Sequence, residues 1–325
     1  LIEGKSMRYI KFLIILAALA IPGLAQADTA GIPASATWYF HADFDAMRDG
    51  KASRGVYDWL NAEVFEEIRG EIGIDFNKEA RQLTAFADAG SGPVIVIDGN
   101  VSQETRDKIV ALAAAASEGD LQTLKSSGKA YYFFNGGGAK RADDDEDSDE
   151  WRSHEDHGFD MGSLDEEAYI SVALKNKVLV TNSEEQMKSL LASDGKIDAA
   201  KKDKGALFVL RAERNLIQAG VNATEMQSEG DWDSNILRKT KQVAVLLADL
   251  GEKLGFEAQL MTTQAEMANS IASIVRGLIS LQAFNDELDP EFSAVLQTAK
   301  VDVADNVLKL SLALDPETVV SALED

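Results

Sequence analysis

The sequence contains no cysteine, which excludes a disulfide scaffold, a cysteine-ligated zinc ribbon and a thiol enzyme. Histidine is almost as scarce, with three residues in 325. A serine–histidine triad would have to recruit His41, or His154 or His157 from an acidic run that offers no fixed geometry. Basic charge is short as well: 32 Lys and Arg stand against 55 Asp and Glu, a net −23. That imbalance repels nucleic acid, whose affinity comes from phosphate neutralisation, and equally an anionic lipid surface. It suits a soluble, self-repelling particle, or a basic partner or cations. Catalytic signatures are missing too. There is no Gly-x-Ser-x-Gly elbow, no His-Glu-x-x-His and no dinucleotide fingerprint. Gly136-Gly137-Gly138 before Lys140-Arg141 lacks the spaced Gly-Lys-Ser/Thr of a phosphate loop and reads as a hinge.

What is present begins with a leader. Residues 1–6 precede Met7 and read as a scar or over-extended start. From 7 to 27 the pattern is that of a secretory signal: Arg8 and Lys11, an apolar stretch from Phe12 to Ala20, Pro22-Gly23, then Ala25-Gln26-Ala27 before the expected cut. Nine to twelve apolar residues are too few for a hydrocarbon core that needs about 20. The expectation is export to the periplasm or beyond, with no stable membrane insertion after cleavage. Removing the leader takes 32 basic and 55 acidic residues to 29 and 54, a net −25. The remaining 298 residues suffice for one large domain or two of average size.

The chain then contains an approximate copy of itself. Trp38-Tyr39-Phe40-His41-Ala42-Asp43 lines up with Phe208-Val209-Leu210-Arg211-Ala212-Glu213 at an offset of 170, and Phe86–Gly90 with Leu247–Gly251 at 161. Ser183–Leu191 lines up with Asp315–Leu323 at 132, each run opening on a helix-capping residue. The offsets fall by 38 where an acidic stretch, about 135–167, interrupts the first copy. This predicts two units, 35–195 and 205–325. Each reads as a strand leading into a helix, a glycine-turned strand pair, a long helix, further strands and a closing helix. The first adds a helix over 55–69 with Val56, Leu60, Val64, Phe65 and Ile68 on one side. The fold class is α+β, two related lobes, each a mainly antiparallel sheet with helices packed on one face. A cleft shared by the lobes is the default place for a ligand.

Two clusters carry candidate chemistry. His41 and Asp43 alternate onto one side of a strand end, where imidazole and carboxylate could hold a metal. Against this, Asp43 is placed to cap the next helix, and the second copy has Arg211 and Glu213 at the matching positions. The acidic stretch offers Asp143, Asp145, Asp147 and Asp149, followed by His154 and His157. Between residues 143 and 167 it holds thirteen acidic residues and one arginine. Such a run binds Ca2+ weakly at best, because no glycine supplies the sharp turn of a tight loop site, and it reads mainly as a solvated surface insertion.

The strand openings Ala36-Thr37-Trp38-Tyr39-Phe40 and Ala206-Leu207-Phe208-Val209-Leu210, with the strand-to-helix unit Val178-Leu179-Val180-Thr181-Asn182-Ser183-Glu184-Glu185, resemble exported bacterial proteins with a duplicated α+β domain of unknown function. That resemblance implies no catalytic residues. The functional expectation is therefore an exported, soluble, non-enzymatic module that binds a periplasmic protein or small ligand, with no cofactor. The alternatives are a calcium- or cation-responsive module working through the insertion, and a cryptic carboxylate hydrolase.

Overall fold

A computed structural model describes residues 36–88, 92–117, 120–135, 167–196, 206–213, 239–282, 295–296 and 298–324. The leader and the acidic run, with Asp143, Asp145, Asp147, Asp149, His154 and His157, lie outside the described residues.

The first strand, β1 (Ala36–Asp43), stops where Asp43 turns into a helix cap and its Oδ1 accepts from the Ala46 N–H at 3.0 Å. Four short helical pieces follow. These are α1 (Phe44–Asp49), α2 (Arg54–Leu60) running through a π-helical segment (Asn61–Phe65) into α3 (Glu66–Ile72), and α4 (Phe76–Glu79). Gly73 ends α3 at φ 71°, a left-handed position that favours glycine. The strand pair β2 (Ala80–Asp88) and β3 (Gly92–Gly99) leads to α5 (Gln103–Ala116), capped by Ser102. Then come β4 (Gln122–Ser126), β5 (Lys129–Asn135), β6 (Glu167–Ser171), β7 (Lys177–Thr181) and α6 (Glu184–Ala192). The second part runs β8 (Ala206–Glu213), β9 (Thr240–Asp249), β10 (Leu254–Thr262), α7 (Ala265–Gln282), β11 (Lys300–Ala304), β12 (Val307–Leu314) and α8 (Pro316–Glu324).

The twelve strands among the described residues form one antiparallel sheet in the order β11-β12-β10-β9-β8-β1-β2-β3-β7-β6-β5-β4. The α+β class expected from the sequence is the class observed. The two parts meet at β1 and β8, where Trp38 opposes Ala212, Phe40 opposes Leu210 and Ala42 opposes Phe208. At the 170-residue offset this register is centred on the Phe40–Leu210 pair. Outward from it the order β1-β2-β3-β7-β6 on one side matches β8-β9-β10-β12-β11 on the other, with β5 and β4 added beyond β6. Both β1 and β8 carry a register irregularity at their start, at Ala36/Trp38 and at Ala206/Phe208.

Because neighbouring residues of a strand point to opposite faces, the core divides in two. One face carries Phe40, Ala42, Leu83, Ile97, Phe208, Leu247, Phe256 and Leu312, and α1–α4 and α8 cover it. The opposite face carries Tyr39, Phe86, Val94, Val96 and Leu179, covered by α6 through Met187, Leu190 and Leu191. The long helix α7 packs on β10–β12 through Met267, Ile271 and Val275. The packed stripe stops there: Leu278, about one turn further on, is exposed.

Candidate functional site: an apolar cavity beneath a helical roof

The α1–α4 segment does not lie over its own half of the sheet alone. It reaches across β1 and β8 and closes a cavity of about 270 Å³. The floor is Phe40 and Ala42 of β1, Leu83 of β2, Ile97 of β3, Phe208 of β8, Leu247 of β9, Phe256 of β10 and Leu314 of β12. Phe44 and Met47 of α1 and Phe76 of α4 form part of the roof, and Val319 and Leu323 of α8 form a side wall. The remaining roof residues are Val56, Leu60, Val64, Phe65 and Ile68, the five that periodicity had placed on one side of a helix. Every lining residue is apolar.

The roof is held by polar contacts around its margin. Asp249, at the end of β9, accepts from the backbone N–H groups of Ala52 (3.0 Å) and Ser53 (2.9 Å) and from the Ser53 hydroxyl (2.8 Å). It also accepts from the Gly251 N–H at 2.6 Å. Burial alone would raise its carboxyl pKa, but the bonds from Ser53, Gly251 and Ala52 outweigh that and hold it below the ordinary aspartate value. Gly50 makes room for this clamp, since a Cβ there would stand 2.2 Å from Asp249 Oδ2 and from Ser53 Oγ. Lys51 pairs with Glu252 at the exposed edge of the same junction.

Inside the roof, Arg48 donates to the Tyr57 hydroxyl (3.1 and 3.0 Å), the Asn77 carbonyl (3.0 Å) and Asp45 (2.9 Å). Burial disfavours its charge, but Tyr57 and Asp45 more than compensate and raise its pKa. Tyr57 in turn donates to Asn77 Oδ1 at 2.6 Å. The roof is thus one braced unit resting on an apolar bed.

The His41 and Asp43 pair is placed in a different setting. The His41 Nδ1 lies 2.9 Å from Thr84 Oγ1. Asp43 is buried, caps α1 with one oxygen and accepts from Gln82 Nε2 at 2.8 Å with the other. Among the described residues no group of three or more His, Cys, Asp and Glu side chains stands together as a metal site. Residue spacing had suggested the roof helix but not its partners. Phe256, Leu314 and Leu323 belong to the second half, and only the strand register brings them beneath the first half's helices.

An ion pair with a buried carboxylate lies on the face opposite the cavity. Glu257 of β10, 1% exposed, is 2.8 Å from Lys309 Nζ on β12 and accepts from Gln259 Nε2 at 2.6 Å.

Three crystal forms of TP0453 are similar in overall layout. Crystal form IV aligns with a TM-score of 0.45 and 10% identity, over 93% of this chain and 98% of that one. Form I gives 0.41 and 11%, over 93% and 97%, and form III 0.40 and 8%, over 92% and 97%. No protein-family model matches the chain, and no curated protein matches it.

Proposed function

We propose that this chain is an exported, non-enzymatic binding module that takes an apolar molecule, or the apolar part of one, into the cavity between roof and sheet. The observation that carries this reading is the size of a wholly apolar cavity. An apolar lining of this extent is surface that gains about 25 cal/mol per Å² when a ligand removes it from water. An engineered apolar cavity of about 150 Å³ already takes up benzene, so this one accommodates a larger hydrocarbon group. The wall offers no acid, base or nucleophile, which favours binding over turnover.

Export rests on the leader pattern of residues 7–27. Among the described residues no helix is long and apolar enough to cross a membrane. The partner in this reading is a small apolar ligand rather than a nucleic acid. We also read the outward strand order, the paired irregularities and the register centred on Phe40–Leu210 as support for tandem copying of one unit, with 135–167 inserted into the first.

The test is titration with the neutral probe N-phenyl-1-naphthylamine, comparing the unmodified chain with Ala42→Leu and Val56→Phe, which grow into the cavity. Saturable binding of one probe per chain, weakened at least about tenfold in both variants, is the expected result. Unchanged affinity in two folded variants would overturn the reading.

A further inference from the structure

The helices that close the two halves are held in different ways. The helix α6 is pinned by polar bonds: Tyr131 donates to Glu184 at 2.7 Å, Thr181 to Gln186 at 2.7 Å, and Lys129 Nζ to the Leu191 carbonyl at 2.6 Å. Its Met187 and Leu191 are fully buried. The helix α8 has none of this among the described side chains. Its contacts are apolar, through Val319, Val320 and Leu323. The single polar tie is at its cap, where Asp315 sits 3.4 Å from Lys253 in an exposed pair. An exposed pair of this kind contributes little.

The loosely held helix is also the one that walls the cavity, through Val319 and Leu323. Its seam with the roof runs along α2, where a Cβ on Gly55 would lie 3.5 Å from Val320 Cγ2. The braced roof and the hydrogen-bonded sheet resist displacement. Moving α8 breaks only apolar contacts, which a bound apolar molecule can replace. From this contrast we propose that α8 is the door of the cavity: it swings about the Leu314–Asp315 connection, and the ligand passes between α8 and α2. This inference rests on the apolar-ligand reading and adds the route.

Because the chain has no cysteine, a Gly55→Cys/Val320→Cys pair can be oxidised without competing thiols. The experiment measures stopped-flow uptake and release of N-phenyl-1-naphthylamine by the full chain, oxidised and reduced. Closing the seam should slow both rates at least about tenfold, and dithiothreitol should restore them. A second variant, Val320→Ala, thins the apolar seam between α8 and α2 and should speed release several-fold, independently of whether the disulfide forms. Equal rates in the oxidised and reduced forms, or an unaltered rate in Val320→Ala, would remove the door while leaving binding intact. No saturable binding by the unmodified chain would remove the ligand reading, and the door with it.

Discussion

The strand registers allow the two halves to be compared position by position, and they part sharply on the face opposite the cavity. Tyr39 opposes Phe86, and Phe86 opposes Val94, which opposes Thr181. In the second half the same walk reads Val209, Leu246, Glu257 and Ser311. One step along, Val96 and Leu179 correspond to Gln259 and Lys309. The first half thus builds an apolar core where the second places a carboxylate, an amide and an ammonium. The closing helix follows the apolar surface: α6 packs on this face, whereas α8 packs on the cavity face. Which side a helix takes is set by where the sheet is apolar, not by the aligned sequence pattern that α6 and α8 share. Shifting α8 to the other side is what supplies the cavity with its wall.

The largest effect that would sharpen this contrast is expected at the ion pair. Lys309→Leu alone leaves Glu257 buried without its cation and should cost about 3–5 kcal/mol. Glu257→Val with Lys309→Leu, which copies the first half's Val94 and Leu179, should recover most of that loss. Urea unfolding of both variants checks it, and an equally unstable double variant would break the equivalence. Next comes a pair of helix truncations. Leu191→Ala on α6, fully buried, should cost about 2–5 kcal/mol. Val319→Ala on α8, 8% exposed and beside the cavity, should cost about 1 kcal/mol, because its methyl groups have fewer neighbours to lose. Equal losses would mean the two helices are held alike.

An effect between those of the two truncations is expected at the clamp that joins the halves. Asp249→Asn should cost about 2 kcal/mol at neutral pH, as expected for hydrogen bonds to a charged group. The folded-state pKa of Asp249 is lowered. The wild-type advantage is therefore present above the unfolded value near 3.9 and fades as pH falls through and below it. Chemical denaturation of both proteins across that range should show the curves converging in acid. A gap that persists below the folded pKa would assign the effect to packing rather than charge.

Much of the fold was legible locally. The helix cap at Asp43, the cap at Ser183 and the stripe Val56–Ile68 all express short-range rules, and each forms as read. The strand β4, Gln122–Ser126, went unread because it is mostly polar; the Ser127-Gly128 turn, at φ 51° and 76°, pairs it with β5. The pleat phase was also hidden. Matching Phe86 to Leu247 by sequence places them one residue out of register, and they face opposite sides of the sheet. A slip of one position reverses every side chain in a strand. The cavity could not be read for the same reason, since its floor depends on which face Phe208, Phe256 and Leu314 take. His41 and Asp43 were placed correctly along a strand end, but their partners Thr84 and Gln82 come from the neighbouring strand.

The central pairing of β1 with β8 has a consequence for how the chain matures. Residues 36–43 pair with β2 on one edge, but on the other they meet β8 only after about 170 more residues have been made, so the first half waits with a bare strand edge. Long-range pairing of this kind is slow, and an unpaired edge invites another chain. The natural substitute for β8 is its own equivalent, the β1 of a second molecule. A polypeptide halted between the halves would accordingly self-associate edge to edge, and the second half serves, among its other roles, as a built-in guard against that encounter.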